Sequence, residues 1–181
     1  TNTLSISGAI AAMNGFTYRC IVSGTCTPAA TSNSVTLTIN AAPSITTQPV
    51  SANACPGGND TFSVVATGAG LTYQWQVNTG SGWTNLSASA TYSGVTTTTL
   101  IASGVTPSMA GYQYRVIVSG TCLPPATSNS ATLGLNSVPS ITGNPTSVTI
   151  CQNRNTSFSA SATGTGIAYQ WQVNMGSGYT N

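Results

Sequence analysis

Between residues 60 and 136, apolar and polar side chains alternate in four runs. Residues 60–67 set Phe62, Val64 and Ala66 on one side, and 71–77 set Leu71, Tyr73, Trp75 and Val77. Residues 112–119 set Tyr112, Tyr114, Val116 and Val118, and 131–136 set Ala131, Leu133 and Leu135. A period of two with one apolar side is the signature of a strand that faces a core on one side and water on the other. Two such sheets packed face to face bury both apolar sides. Turn formers punctuate the runs at Pro56-Gly57-Gly58-Asn59, Gly68-Ala69-Gly70, Gly80-Ser81-Gly82, Ser119-Gly120 and Pro124-Pro125. Shorter strands are predicted at Trp83–Asn85 and over 97–103, and no stretch carries a helical period. The pattern predicts an all-β fold of seven or eight short strands in about 96 residues.

That length is also the period of the chain. Shifted by 96 positions, Thr1 to Ser44 falls on Thr97 to Ser140 with 26 identities in 44 pairs, and Ile45 to Asn85 falls on Ile141 to Asn181 with 23 in 41, without a gap. A fixed period of this kind is the mark of tandem units. The expected division is the C-terminal half of one unit at 1–43, a complete unit at 44–139 and the N-terminal half of a third at 140–181. Half a sandwich leaves one apolar face of each sheet uncovered. The flanking halves are therefore expected to be completed, either by one longer chain or by a second copy that adds its strands. The predicted core is Phe62, Val64, Tyr73, Trp75, Tyr114 and Val116, with Trp171 as the repeat of Trp75.

Composition removes most chemistry. Charged residues are 2% of the chain, with no His, three Arg and a single acid, Asp60. General acid and base work needs a second titratable partner, a Ser or Cys nucleophile needs a base, and calcium sites need several carboxylates. The chain is therefore read as no enzyme, with no cofactor and no metal site. A net charge of +2 is too small to attract nucleic acid or anionic lipid. No apolar run reaches the ~20 residues of a membrane span. The exterior must instead be covered by Ser, Thr, Asn, Gln and Gly.

At Gln74-Trp75-Gln76, and at Gly111 followed by Tyr114, the chain resembles the core tryptophan and the tyrosine corner of immunoglobulin domains. Tyr-Gln-Trp-Gln, Tyr-Ser-Gly-Val-Thr-Thr (Tyr92 to Thr97), Met-Asn-Gly-Phe-Thr-Tyr-Arg-Cys (Met13 to Cys20) and Ser-Gly-Thr-Cys look like the tandem immunoglobulin-like repeats of large secreted surface proteins from Bacteroidetes-type bacteria. The resemblance spans the whole chain. It implies an immunoglobulin-like sandwich exposed outside the cell, secreted or on the cell surface. It departs from the antibody pattern where the inter-sheet cysteines belong, since the second strand carries Phe62 and Val64 and the sixth Val116. In variants of this sandwich the first strand runs beside the last, which implies instead a bridge from Cys55 to Cys122. Its closed loop of about 68 residues would be worth roughly 4 kcal/mol in the loop-entropy view. Cys26 and Cys151 repeat these two positions and await partners outside the sequence. Cys20 stands where Val116 does, as a small buried residue or as the partner of an unseen second-strand cysteine.

The candidate contact residues are few. Trp83, repeated by Tyr179, follows a glycine turn near a sheet edge, where it either packs or stacks on a sugar or a neighbouring subunit. Arg19 and Arg115 alternate with inward residues, so they point outward at equivalent places, either solvated or bonded to a neighbour's carbonyl groups. Two functions are consistent with these features. One is a stiff stalk or filament whose partners are adjacent repeats or copies of itself. The other is an adhesive module that binds glycans or cell surfaces through loops such as 68–70 and 119–126. Loops dedicated to one ligand should differ between units, yet Ser23 to Cys26 and Ser119 to Cys122 are the same. That favours the stalk.

Overall fold

The computed structural model describes all residues from Thr1 to Asn181. In the leading segment β1 (Thr17–Tyr18) pairs with β4 (Val35–Thr36), and β2 (Ile21–Val22) with β3 (Ala30–Thr31). The central strands are β5 (Ser44–Thr47), β6 (Ala52–Ala54), β7 (Asp60–Ser63), β8 (Val65–Thr67), β9 (Thr72–Asn78) and β10 (Trp83–Asn85). They continue with β11 (Tyr92–Ser93), β12 (Thr99–Ala102), β13 (Gln113–Ser119), β14 (Ala126–Thr127) and β15 (Ala131–Leu135). The trailing segment holds two antiparallel pairs, β16 (Ser140–Gly143) with β17 (Ser161–Thr163) and β18 (Val173–Asn174) with β19 (Tyr179–Thr180).

The central strands form an immunoglobulin-like sandwich. One sheet runs β10-β9-β13-β15-β6, with β14 on the end of β13, and the other runs β11-β12-β7. The strand predicted over 60–67 appears as β7 and β8, interrupted at Val64, whose amide still donates to the Thr98 carbonyl at 2.9 Å. Alternation governs which side chains go inside: β13 buries Tyr114, Val116 and Val118 and leaves the residues between them partly exposed. Trp75 lies at the centre, fully buried, and its indole N–H donates to the Thr97 carbonyl at 2.9 Å. Phe62 packs on Tyr114 with ring centroids 4.8 Å apart. Burial of each such apolar side chain contributes about 1.5–3 kcal/mol, so the sixteen-residue core is the dominant stabilising element. Every buried residue lies between Pro43 and Leu133.

The lack of helical pattern is met with one qualification. Ala11–Met13 and Pro107–Met109 each make a single 3₁₀ turn. In the second, Pro107 presets a helical φ and Met109 buries its side chain, so a three-residue turn forms where no period is long enough to be read.

The first strand divides between the sheets. β5 pairs antiparallel with β8, and β6 pairs parallel with β15, Ala52 opposite Leu133 and Ala54 opposite Leu135. Buried Pro49, which has no N–H for a ladder, stands at the crossing. Side chains take over the bonding there, with Gln48 accepting from the Asn129 amide and Ser51 from the Thr132 amide, both at 2.9 Å.

This parallel pairing corrects the expected Cys55–Cys122 bridge. Because β6 runs in the same direction as β15, Cys55 emerges where β15 ends and β13 begins. Cys122 follows the far end of β13. The seven residues of β13 separate the two by roughly 20 Å at ~3.3 Å per residue, well beyond the ~7 Å Cα limit of a disulfide. Both thiols are free. The first strand does run beside the last, but in a direction that carries Cys55 away from Cys122.

Candidate functional site

Outward-facing residues of β13, β9 and β10 form one polar cluster. Arg115 sits opposite Gln76, and Gln76 opposite Asn85, in continuous register across the three strands. The Arg115 Nε–H donates to Gln76 Oε1 at 2.8 Å, the Gln76 amide donates to Asn85 Oδ1 at 2.8 Å, and the guanidinium lies 4.2 Å from the centre of the Trp83 ring. Trp83 is thus covered by a cation from its own sheet. One face of the ring is therefore packed within the sheet. The trailing segment repeats the cluster as far as its strands allow: Gln172 donates to Asn181 Oδ1 at 2.8 Å beside exposed Tyr179. The position corresponding to Arg115 is Arg19, which is exposed in the leading segment. Sequence reading singled out Trp83 and Arg115 separately. Their outward alternation on strands that share β9 as neighbour was the signal that joins them.

Inside the sandwich the polar groups are few. The Tyr92 and Tyr114 hydroxyls share a hydrogen bond at 3.1 Å, so the tyrosine at the corner position finds a side-chain partner on β11. Burial pushes the Tyr114 phenol far above the usual tyrosine range, and burial also raises Tyr92. Asp60 accepts from the Thr61 amide at 2.7 Å through Oδ1, while its Oδ2 is buried without a hydrogen-bond partner. Phe62, Val64, Trp75, Tyr114 and Val116 are all buried, and Tyr73 is half-buried at the core margin. Trp171, predicted in the core, is 50% exposed in this structure.

Uncovered core faces form two grooves. One, of about 650 Å³, is lined in the leading segment by Leu4, Ile6, Tyr18, Cys20, Val35 and Leu37. The other, of about 550 Å³, is lined in the trailing segment by Phe158, Trp171 and Val173. Shifted by 96, these are the positions of Leu100, Ala102, Tyr114, Val116, Ala131 and Leu133, and of Phe62, Trp75 and Val77, all members of the central core. The grooves are thus lined by the 96-residue counterparts of residues that the central sandwich buries.

The connections on either side of the central sandwich share one packing. A Cβ on Gly68 would come 3.2 Å from Pro43 Cα, and one on Gly164 would come 2.9 Å from Pro139 Cα. Both glycines have positive φ, so no other residue fits either place without strain. Gly120 also abuts Pro43, and the Thr121 amide donates to the Ala69 carbonyl at 2.9 Å. At the second connection Ser137 and Thr165 bond reciprocally, at 2.9 and 3.0 Å. At the first, the Cys122 thiol donates to the Asn40 carbonyl at 3.3 Å.

Solved structures similar to this chain are immunoglobulin-like. A three-domain titin structure, I67-I69 with Glu-to-Ala changes, matches 67% of this chain and 41% of its own at 17% identity and a TM-score of 0.50. The I-band fragment I67-I69 from titin matches 59% of this chain at 25% identity and a TM-score of 0.47, and this chain spans about a third of that fragment, 36%. The N-terminal Ig1-2 module of the Drosophila receptor protein tyrosine phosphatase DLAR matches 57% of each chain at 19% identity and a TM-score of 0.42. No protein-family model and no curated protein matches the chain.

Proposed function

We propose that this chain is a structural segment of a stalk or fibre made of end-to-end immunoglobulin-like units, outside a bacterial cell, with adjacent units as its partners. In this reading 44–139 is one whole unit, and 1–43 and 140–181 are the back and front halves of its neighbours. The observation that carries it is the repeated connection: Pro43 against Gly68 and Pro139 against Gly164 hold successive units at a set angle instead of on a loose tether. The extracellular location rests on the resemblance to secreted surface repeats and on an exterior with almost no charge. Such an exterior leaves few trypsin sites and few groups that titrate near neutral pH. The immunoglobulin-like fold is typically non-enzymatic, and the lone acid agrees with a mechanical role.

Electron microscopy of the native material tests this. Slender rods or regular polymers are expected, and compact isolated particles would overturn the reading. Denaturing, reducing electrophoresis then separates its two forms. One long array gives a band far above 18.2 kDa, while a band at that mass means that copies complete one another's halves.

A further inference from the structure

We infer that successive units are joined by a disulfide across each connection, from the cysteine that follows the divided first strand of one unit, as Cys55 follows β6, to the cysteine in the loop after the sixth strand of the next, as Cys122 follows β13. The inference rests on the stalk reading. The observations behind it are the two asparagines at the connections. Extending the parallel register of β6 and β15 by one residue sets Cys55 opposite Asn136, and the Asn136 amide donates to the Ala54 carbonyl at 2.9 Å. In a parallel ladder the Asn136 carbonyl would next accept from residue 56, which is Pro56 and has no N–H. That carbonyl is left for another donor. At the other connection the corresponding asparagine, Asn40, accepts from the thiol of Cys122, which belongs to the following unit.

Overlaying the two connections by the 96-residue period puts both cysteines on the same asparagine. The strand-end cysteine is one strand spacing away, ~4.8 Å, and the loop cysteine touches the carbonyl. This brings the pair to the scale of the ~7 Å Cα separation that a disulfide spans. Cys55 is exposed and Cys122 half-buried, so both are accessible at the connection. Cys151 and Cys26 repeat the same two places, which accounts for four of the five cysteines with one rule. On oxidation each thiol gives up its proton, an Sγ–Sγ bond forms, and the two electrons reduce a small-molecule or protein disulfide to its two thiols.

The test completes the third unit with the chain's own sequence. Residues 1–181 are followed by a second copy of residues 86–139, Cys122→Ser is made at the original position, and the protein is oxidised in a glutathione buffer. Non-reducing peptide mass spectrometry should find the appended Cys122 linked to Cys55, and free thiols should fall by two per molecule. Adding Cys55→Ser should return the appended thiol to the free state. A link from the appended cysteine to Cys151 or to any other cysteine, or a free thiol there, would overturn the staple. Trp171 fluorescence keeps the two readings apart. A blue shift means that the third unit has closed, so a missing link then counts against the staple alone. Emission typical of exposed indole means that the repeat reading falls, and the staple with it.

Discussion

The central sandwich and the trailing segment carry nearly the same words in different company. Trp75 is 0% exposed and Trp171 50%; Phe62 is 1% exposed and Phe158 53%. The hairpin beside the tryptophan is nonetheless unchanged. Val77 pairs with Thr84 and Asn78 with Trp83, just as Val173 pairs with Thr180 and Asn174 with Tyr179. The Asn78 carboxamide accepts from the Gly80 and Gly82 amides at 2.8 and 3.1 Å, and Asn174 does the same for Gly176 and Gly178 at 2.8 and 3.2 Å. Turn chemistry is local and survives the loss of the opposite sheet. Burial is a property of closure, and closure needs residues far away in the chain.

The strongest way to break this comparison is to truncate both tryptophans in turn. Trp75→Ala is expected to cost the central sandwich about 3–5 kcal/mol, read from its denaturant midpoint. Trp171→Ala should leave that midpoint unchanged. Equal effects would mean that the trailing segment is already packed in solution.

A second difference is sharpened by pH. Tyr114 and Tyr92 have phenols raised by burial in the folded state, so the unfolded chain ionises first, near pH 10. Their contribution to stability is complete below that pH and is lost as pH rises toward the folded values. Thermal melts should show the central transition falling only above about pH 10, and Tyr114→Phe should flatten the fall.

The smallest effect concerns the outer cluster. Arg115→Ala should cost about 0.5–1 kcal/mol through the stack on Trp83, and Arg19→Ala should cost nothing until its segment is completed. A double-mutant cycle with Trp83→Ala would show the coupling as non-additivity.

Period-two alternation made the inner residues of β7, β9 and β13 legible, because each strand reports its own two faces. The same alternation marked Arg115 as outward. What it did not contain was the relation between strands. The stack of Arg115 on Trp83 depends on the register of β13 with β9 and of β9 with β10. The separation of Cys55 from Cys122 depends on the direction of β6 against β15. Trp171 has the same local pattern as Trp75 yet is 50% exposed, because burial depends on partners that a strand's own pattern does not report.

The division of the first strand has a mechanical corollary. β6 lies near the start of the central unit and β15 near its end, side by side and in the same direction. Tension applied through the two termini draws these strands past each other along their length, so their ladder bonds share the load at once and cannot peel apart one after another. A domain connected in this way resists best along the line that joins its two ends.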